Sequence, residues 1–373
     1  MPYPINPDRA VPWNGLPELP IDPEHYRSVE IYEQLGNTKS ALGRLQGRSI
    51  AIPNQGLLIN SISLQEAKAS SAIENIFTTD DELYKAYSDE RSLPPYGPAK
   101  EILSYREALW IGHDHLLAKP QFDEAYFVKM YRIVSQFNDG IRPPVAQTVI
   151  KEGGTGLNAG KTFYTPPRGQ GILEAKMGNL YDFLNDDKKY PVDPLLKMAI
   201  GHYQFEAIHP FRDGNGRTGR IFNIHYLTVK GMLDYPILFL SRYIVEHKED
   251  YYAGLSGITQ RGNWKEWLLF MLKTVEVTSN MTYDKINDII SSKEAIQAAI
   301  EEQGNIVRPE LLVGSLFTQP FTRVKHLVDR GYYAQNTARK YLDQLTRMGI
   351  LEKRMIGGNA YYLNLELYRI LSA

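Results

Sequence analysis

Apolar residues recur every three or four positions along most of this chain, which is the spacing of amphipathic α-helices. Segments with this spacing cover residues 28–44, 98–109, 121–137, 173–184, 194–205, 217–230 and 263–274. A succession of helices with few strand-like stretches between them predicts a mainly α-helical fold.

Two further helix starts carry their own signal. Ser63 followed by Glu66, and Thr79 followed by Glu82, fit the capping box, in which a hydroxyl and a carboxylate satisfy free amides at a helix N-terminus. Each pair predicts a helix that begins at its hydroxyl residue. Upstream of both, residues 1–24 are rich in proline, which predicts an extended strap over the body of the protein.

The helical pattern is interrupted between residues 149 and 170. Glycines are frequent over residues 153–160, and Thr162–Thr165 has the β-branched and aromatic character of a strand. This composition predicts a flexible loop next to a short β-hairpin.

The pattern changes again after Ser291. Three short helical segments, at 309–316, 322–329 and 335–348, precede two strand-like segments at 351–355 and 360–363. The turn Gly357-Gly358-Asn359 joins these two strands as a hairpin. Helices followed by a β-wing predict a C-terminal winged helix-turn-helix.

Composition excludes several classes of protein. The chain has no cysteine, so it has neither disulfides nor thiol catalysis nor cysteine-based zinc sites. Lys and Arg number 42 against 43 acidic residues, and a formal charge of −1 gives no bias towards nucleic acid or membrane. The N-terminus lacks the pattern of a signal peptide, and the apolar run Trp267–Leu272 is shorter than the roughly twenty residues of a membrane span. We therefore expect a soluble, cytoplasmic protein with no membrane partner.

Candidate chemistry concentrates in Phe205–Arg220, which reads FEAIHPFRDGNGRTGR. It forms a loop that leads into the N-terminus of a predicted helix. Such a terminus presents free backbone N–H groups and a partial positive charge, and Gly214 and Gly216 allow an anion to approach the backbone closely. Phosphate is the ligand that this arrangement favours.

Side chains of the same stretch supply the other parts of a nucleotide site. An imidazole titrates near neutrality, so His209 is a candidate general base. Arg217 lies in the first helical turn and Arg220 three residues further on, and both have planar groups suited to phosphate oxygens. Asp213 is acidic among arginines, which favours a divalent cation between it and the phosphates.

This stretch resembles the Fic family signature H-P-F-x-[D/E]-G-N-G-R-x-x-R at every defined position, including the preceding F-x-x-I. The resemblance implies a Fic-type helical core with a protein adenylyltransferase activity. In that reaction a Ser, Thr or Tyr hydroxyl of a protein target, or of the enzyme itself, attacks the α-phosphate of ATP, and pyrophosphate leaves. Related Doc kinases carry Lys where this chain has Gly216, so Gly216 favours AMP transfer over phosphorylation.

The resemblance also implies a role for each signature residue. His209 would deprotonate the hydroxyl, Asp213 would hold Mg²⁺, and Phe211 would be a buried anchor. The ATP phosphates would be bound by the loop and first helical turn, namely Gly214, Asn215 and Gly216 as the anion hole, Arg217, and Arg220 for the γ-phosphate.

An upstream segment resembles the inhibitory motif [S/T]-x-x-x-E-[G/N] of many Fic proteins. Here it reads Ser70-Ser71-Ala72-Ile73-Glu74-Asn75, and Ser70 and Glu74 are four residues apart, on one helix face. The resemblance implies that Glu74 pairs with Arg220 and so prevents the arginine from binding the γ-phosphate.

Two further regions correspond to parts of the family's site. The hairpin that contains Thr162, Phe163 and Tyr164 would be the flap that docks a protein target by strand addition. A surface hairpin with no partner is the alternative. Tyr251 and Tyr252 have family counterparts that line the nucleotide pocket, although a tyrosine pair on a helix fits packing equally well.

We thus expect an N-terminal segment with an inhibitory helix (1–100), a Fic catalytic core (101–278) and a winged-helix domain (279–373). Two other functions stay open at this point. One is a hydrolase that removes AMP from a modified target with Glu74 and His209. The other is a DNA-binding regulator whose Fic core senses nucleotide; its basic residues would be Arg339, Lys340, Arg347, Lys353 and Arg354. A homodimer, common among relatives, is also open.

Overall fold

Helices make up most of the computed structural model, which describes residues 2–50, 55–89, 97–151, 160–356 and 358–372. A short 3₁₀-helix lies at Pro23–His25. The described residues form fifteen α-helices: α1 (Val29–Ile50), α2 (Gln55–Ile73), α3 (Asp80–Asp89), α4 (Pro98–Ala118), α5 (Glu124–Ser135), α6 (Ile172–Asn185), α7 (Pro194–Ile208), α8 (Asn215–Val229), α9 (Leu240–Glu246), α10 (Lys248–Arg261), α11 (Trp264–Gln303), α12 (Pro309–Leu316), α13 (Val324–Asp329), α14 (Gln335–Arg347) and α15 (Leu365–Ser372). The predicted mainly α fold class is confirmed.

Strands form two small antiparallel sheets. The first pairs β1 (Ile150–Lys151) with β2 (Thr162–Tyr164). The second has the order β3-β5-β4 and comprises β3 (Phe321–Thr322), β4 (Leu351–Ile356) and β5 (Asn359–Asn364). Most of the predicted glycine-rich loop 153–160, and Gly357 of the predicted turn, lie outside the described residues.

Helix α7 is the centre of the core. Of its residues only Pro194 and Glu206 are not buried, because α6, α8 and α11 pack around it. Helix α8 packs along α7 and is buried over most of its length. A helix that is apolar on every side needs neighbours on every side, and this pair therefore fixes the loop between them, residues 209–214, at a defined place.

The predicted helix start at Ser63 is wrong, because α2 begins at Gln55 and Ser63 lies within it. Glu66 does not cap the start of α2, and its partners lie on other helices. Its buried carboxylate accepts a hydrogen bond from the Tyr105 hydroxyl at 3.0 Å and from the Ser241 amide at 2.8 Å. Burial raises the pKa of Glu66 to about 7, against the opposing effect of these bonds. The residue anchors α2 to α4 and α9.

The second capping box is confirmed. The Thr79 hydroxyl accepts from the Glu82 amide, and the Glu82 carboxylate accepts from the Thr79 amide, each at 3.2 Å, at the start of α3.

The N-terminal strap is extended, as predicted, but it also enters the core. Trp13 and Leu16 are buried, at 6% and 2% exposure. The Asn6 amide donates to the Thr259 carbonyl at 2.8 Å, and the Trp13 amide donates to the Thr165 carbonyl at 3.1 Å. The strap therefore connects α10 with the segment that follows β2.

The C-terminal region contains the helices and strands that the sequence predicts, in the predicted order. Its description as a winged helix-turn-helix stays a prediction. Helix α11 runs without a break through residue 278, so the predicted boundary between 278 and 279, also a prediction, falls within a continuous helix. Arg354 of β4 pairs with Asp81 of α3 at 2.8 Å, which joins this region to the N-terminal helices.

No helix among the described residues is long and apolar enough to cross a membrane.

Helix α4 packs closely against α8 and α5 at Gly112. A Cβ atom there would lie 2.3 Å from His225 Cε1 and 2.6 Å from Met130 Sδ. Because this packed region cannot yield easily, we expect Gly112→Ala to lower the free energy of unfolding by about 1–3 kcal/mol. The measurement is urea unfolding followed by circular dichroism.

Gly43 in α1 is the matched control, because nothing lies within 4 Å of its added Cβ. Gly43→Ala should raise stability by about 0.5–1 kcal/mol, since alanine favours the helix. Equal effects of the two substitutions would contradict the close approach of α4 and α8.

Candidate active site

The loop between α7 and α8 is held in one conformation by its own backbone and by Asn215. Left-handed residues stand at both ends, His209 with φ 50° and Gly214 with φ 69°. The Asn215 side-chain amide accepts from the Phe211 N–H at 2.9 Å through Oδ1 and donates to the Phe211 carbonyl at 2.8 Å through Nδ2. Phe211 is buried and stacks on Tyr131, with ring centroids 4.3 Å apart. Phe211 is thus the buried anchor that was expected.

This arrangement changes what Asn215 can do. Its side-chain amide is buried and hydrogen-bonded to both backbone groups of Phe211. An anion would therefore meet the backbone N–H of Asn215, at the first turn of α8. The sequence assigned Asn215 to the anion hole without this distinction.

His209 ends α7 at the edge of the pocket. Arg142 holds it there by donating from Nε to the His209 carbonyl at 2.8 Å. Burial, together with the charge of Arg142, lowers the pKa of His209 to about 4, so the imidazole is neutral at physiological pH. Its Nδ1 is enclosed, and a hydrogen bond to the Glu206 backbone partly offsets the lowering of its pKa, so Nε2 is the nitrogen that can exchange a proton with a bound group.

The N-terminus of α8 is covered by a carboxylate of α2. A Cβ atom at Gly216 would lie 2.4 Å from Glu74 Oε1, so the Glu74 carboxylate rests directly on the glycine. No larger residue fits at position 216 while Glu74 stays in place. A negative group over the first turn of a helix is favoured by the free N–H groups and the helix dipole.

Arg220 joins the same two helices. It is 1% exposed, and it donates from Nε to the Ser70 hydroxyl at 2.8 Å and from Nη2 to the Ser70 carbonyl at 3.0 Å. Nη2 also donates to Glu74 Oε1 at 2.8 Å. Burial opposes the charge on Glu74, but the Arg220 guanidinium outweighs it and holds the pKa of Glu74 below its ordinary value. The same ion pair raises the pKa of Arg220, against its own burial.

The end of α2 explains why Asn follows the glutamate. Asn75 has φ 62°, a left-handed conformation that Asn tolerates better than most residues. The Ile76 N–H donates to the Ser71 carbonyl and the Asn75 N–H to the Ala72 carbonyl, each at 3.0 Å. The chain thus turns away immediately after Glu74, and this places the carboxylate at the last turn of α2, above α8.

Arg217 is the third residue of α8. It is 4% exposed and donates from Nη1 to Glu101 at 2.9 Å, while its Nη2 lies 3.8 Å from Asp213. Its guanidinium is therefore already paired with carboxylates of the protein.

Asp213 is the residue suited to a metal ion. Its side chain is 63% exposed and accepts the Gly214 N–H through Oδ1 at 2.7 Å. Among the described residues there is no group of three or more His, Asp or Glu that could hold a metal alone. A single exposed carboxylate fits Mg²⁺ that takes its remaining ligands from phosphates and water.

One pocket adjoins these groups. Its lining includes eight of the residues predicted from the sequence, namely Glu74, Phe163, Tyr164, His209, Gly216, Arg220, Tyr251 and Tyr252. Other predicted residues do not line it, namely Ser70, Thr162, Asp213, Gly214, Asn215 and Arg217. Of the tyrosine pair, Tyr251 is 2% exposed and bonds His202 through its hydroxyl at 2.8 Å, so much of that side chain is used in packing.

Sequence reasoning missed several residues in or beside this pocket. Asn6 and Arg9 of the strap line it, and Arg9 lies over the Phe163 ring at 5.7 Å. Arg142, which holds the His209 backbone, is remote in sequence and has no pattern that would find it. Glu206 could have been predicted from the sequence, because it stands three residues before His209 and helical spacing puts residues three apart side by side.

Comparison with known proteins agrees with this geometry. Family models match residues 32–114 (Fic/DOC family N-terminal), 121–227 (Fic/DOC family) and 292–367 (Protein adenylyltransferase SoFic-like, C-terminal domain). Among curated relatives, protein adenylyltransferase fic-1 of Caenorhabditis briggsae is 31% identical over 115 residues, which are 31% of this chain and 21% of that protein. Protein adenylyltransferase Fic of Culex quinquefasciatus is 30% identical over 115 residues, 31% of this chain and 22% of its own. The chain thus spans about a fifth of the length of these relatives.

Solved structures share the fold. A Fic family protein from Desulfovibrio desulfuricans is similar over 93% of this chain and 98% of its own, with a TM-score of 0.53 and 18% identity. Fic-1 from Caenorhabditis elegans is similar over 66% of this chain and 70% of its own, with a TM-score of 0.50 and 21% identity. With the signature loop set between α7 and α8, the three matching family models and these neighbours, the chain belongs to the Fic/DOC family.

Proposed function

We propose that this protein is an adenylyltransferase that moves AMP from ATP to a Ser, Thr or Tyr hydroxyl of a protein, its own chain included. The observation that carries the proposal is that the neutral His209 imidazole lines one pocket together with Gly216 of the first turn of α8 and with Arg220. Relatives named protein adenylyltransferases, at about 30% identity, support the same reaction.

The reaction follows from this placement. The target oxygen forms a bond to the α-phosphorus, the bond from that phosphorus to the bridging oxygen breaks, and pyrophosphate leaves. His209 takes the hydroxyl proton at Nε2. A pKa of about 4 keeps the imidazole unprotonated at neutral pH, so it is ready to accept this proton. The backbone N–H groups of the α8 first turn stabilise the phosphate charge.

Mg²⁺ would be held by the exposed carboxylate of Asp213. When bound, the ion neutralises phosphate charge and orients the phosphates. Arg217 lies 3.8 Å from Asp213 and helps to keep that carboxylate at the edge of the loop.

Glu74 is the proposed inhibitory group. Its carboxylate rests on Gly216 and pairs with Arg220, which are the positions that a terminal phosphate would need. ATP that binds while Glu74 stays must place its γ-phosphate elsewhere, so its α-phosphate is misaligned for attack.

The β1–β2 hairpin is the proposed docking flap. Phe163 and Tyr164 of β2 line the pocket, so a target segment paired with this hairpin would pass next to the site. Main-chain pairing of this kind depends little on the target's side chains.

Removal of AMP from a modified protein is a second candidate, because Glu74 lines the same pocket as His209 and could orient a water molecule. Release of AMP from a protein that was modified beforehand would distinguish it from the leading proposal. The DNA-binding alternative gains no such support, since two of its basic residues, Lys353 and Arg354, pair with Asp343 and Asp81.

Removing the inhibitory carboxylate should increase AMP transfer. We expect Glu74→Gly to raise incorporation from α-labelled ATP at least tenfold, because a charge-assisted bond of about 1.5–3 kcal/mol no longer holds Arg220. Arg220→Ala, which breaks the same ion pair but also removes the phosphate ligand, should give no such increase. Unchanged labelling by Glu74→Gly would refute the inhibitory role.

Removing the proposed base should abolish the reaction. In the Glu74→Gly background, His209→Ala is expected to lower the labelling rate at least a hundredfold, since general base catalysis contributes about 10²–10⁴. Binding of ADP, measured by calorimetry, should change little. His115→Ala, on α4 and outside the pocket lining, is the matched control and should keep the rate. If the His209 variant labels normally, another group is the base.

A further inference from the structure

Glu206 is a carboxyl group in the pocket that the proposed reaction does not use. It belongs to α7 and lines the pocket together with His209 and Arg220. Its Oε1 is buried and has no hydrogen-bond partner. A buried carboxyl oxygen left without a partner is unfavourable, and most such oxygens in proteins are satisfied by a protein group, water or a ligand.

The position of Glu206 relative to α8 defines which part of a ligand it would meet. A Cβ atom at Gly219 would lie 2.5 Å from Glu206 Oε1, so the carboxyl packs against α8 one turn beyond Gly216. Its nearest charged neighbours are Arg220 and Glu74. Tyr251 and Tyr252 are its electrostatic neighbours on α10.

The walls around it favour a flat ring. Phe163 and Tyr252 meet edge to face with centroids 6.0 Å apart, and Leu255 adds an aliphatic surface. Aromatic and aliphatic walls suit a nucleobase, which is planar and carries its polar atoms on its edge. Other polar side chains also line the pocket, among them Asn6, Ser256 and Gln260. Glu206 differs from them in having a buried oxygen with no hydrogen-bond partner, which a base edge could supply.

The charge state of Glu206 decides what it can recognise. Burial raises its pKa to about 8, and the negative charge of Glu74 adds to this effect while Arg220 opposes it. At pH 6.5 the group is thus mostly a neutral carboxylic acid, with one donor and one acceptor in a plane. An ionised carboxylate would have acceptors only.

Adenine and guanine differ in the edge that they offer to such a group. Adenine carries a donor, its amino group, beside the acceptor N7, whereas guanine has two acceptors, O6 and N7, at the same place. A neutral carboxyl complements adenine in the way that Asn or Gln does. Against guanine one oxygen of the carboxyl stays unpaired.

We propose that Glu206 is the specificity-determining residue of the pocket, and that its carboxyl in the acid form pairs with the donor–acceptor edge of adenine and discriminates against guanine. The inference rests on the proposed nucleotide-binding function. The broad rotation of a Glu carboxyl about its last bond allows both oxygens to turn from Gly219 towards the base.

Binding of ADP and GDP to the wild-type chain tests this directly. Neither nucleotide has a γ-phosphate, so the Glu74–Arg220 pair does not need to open. With Mg²⁺ at pH 6.5, calorimetry should give a Kd for GDP at least tenfold above that for ADP. If neither nucleotide binds, the proposed function itself fails. If both bind equally, only the role of Glu206 fails.

Two variants of similar size isolate the carboxyl. Glu206→Gln keeps a planar donor and acceptor and should keep the GDP to ADP ratio within about threefold. Glu206→Met fills the same space without polar atoms and should lower the ratio at least tenfold. The GDP to ADP ratio of Kd values compares two ligands on the same variant, so a substitution that weakens the binding of both nucleotides equally does not change it. An unchanged ratio in the Met variant, or a lost ratio in the Gln variant, would overturn the proposal.

A change of pH gives an independent readout. Between pH 6.5 and 9.0 the wild-type preference for ADP should fall, because the carboxyl loses its donor, while that of Glu206→Gln should stay constant. The groups that face Glu206 do not titrate in this range: burial lowers the pKa of His202 to about 3 and of His209 to about 4, Glu74 has a lowered pKa, and Arg220, Tyr251 and Tyr252 have raised ones.

Two other groups could also change charge between pH 6.5 and 9.0. Glu66 has a pKa of about 7, and Lys248 has a lowered pKa. Both groups are present in wild type and in every Glu206 variant. The difference between wild type and Glu206→Gln therefore reports Glu206 alone. A preference that falls equally in both proteins would contradict the role of this carboxyl.

Discussion

The pairing of the buried Arg220 guanidinium with an anion is the constraint on which this structure depends. A guanidinium that is 1% exposed cannot be left without a partner, since an uncompensated buried charge is strongly destabilising. In the present form Ser70 of α2 and Glu74, the residue that follows α2, supply that partner. In the proposed reaction the terminal phosphate of ATP would replace the carboxylate as the anion beside Arg220.

Much of the remaining architecture serves to hold α2 and α8 against each other. Glu66 fixes α2 to α4 and α9, and the left-handed Asn75 ends α2 where its last carboxylate reaches Gly216. On the other side, Asn215 and Arg142 fix the loop that precedes α8. The two helices therefore meet in a defined register, which fixes the geometry of the ion pair between Glu74 and Arg220.

Local sequence patterns located helices such as the one predicted over 121–137, since its apolar periodicity reflects the burial of one face. The pattern failed where a polar residue has a tertiary partner. Ser63 and Glu66 have the spacing of a capping box, but Glu66 bonds Tyr105 and Ser241, which no local rule can foresee. The signature located the site. It did not show that the Asn215 side chain bonds Phe211 within the loop, or that Arg9 of the strap lines the pocket, because both depend on the folded packing. Glu206 was visible in the sequence, but its unpaired oxygen was not.

The most direct test of the central claim is the affinity for ATP relative to ADP, with and without Glu74. If the carboxylate holds the place of the γ-phosphate beside Arg220, Glu74→Gly should tighten ATP binding at least tenfold and leave ADP binding within about threefold, as measured by calorimetry with Mg²⁺. Equal changes for the two nucleotides, or none for either, would contradict the account.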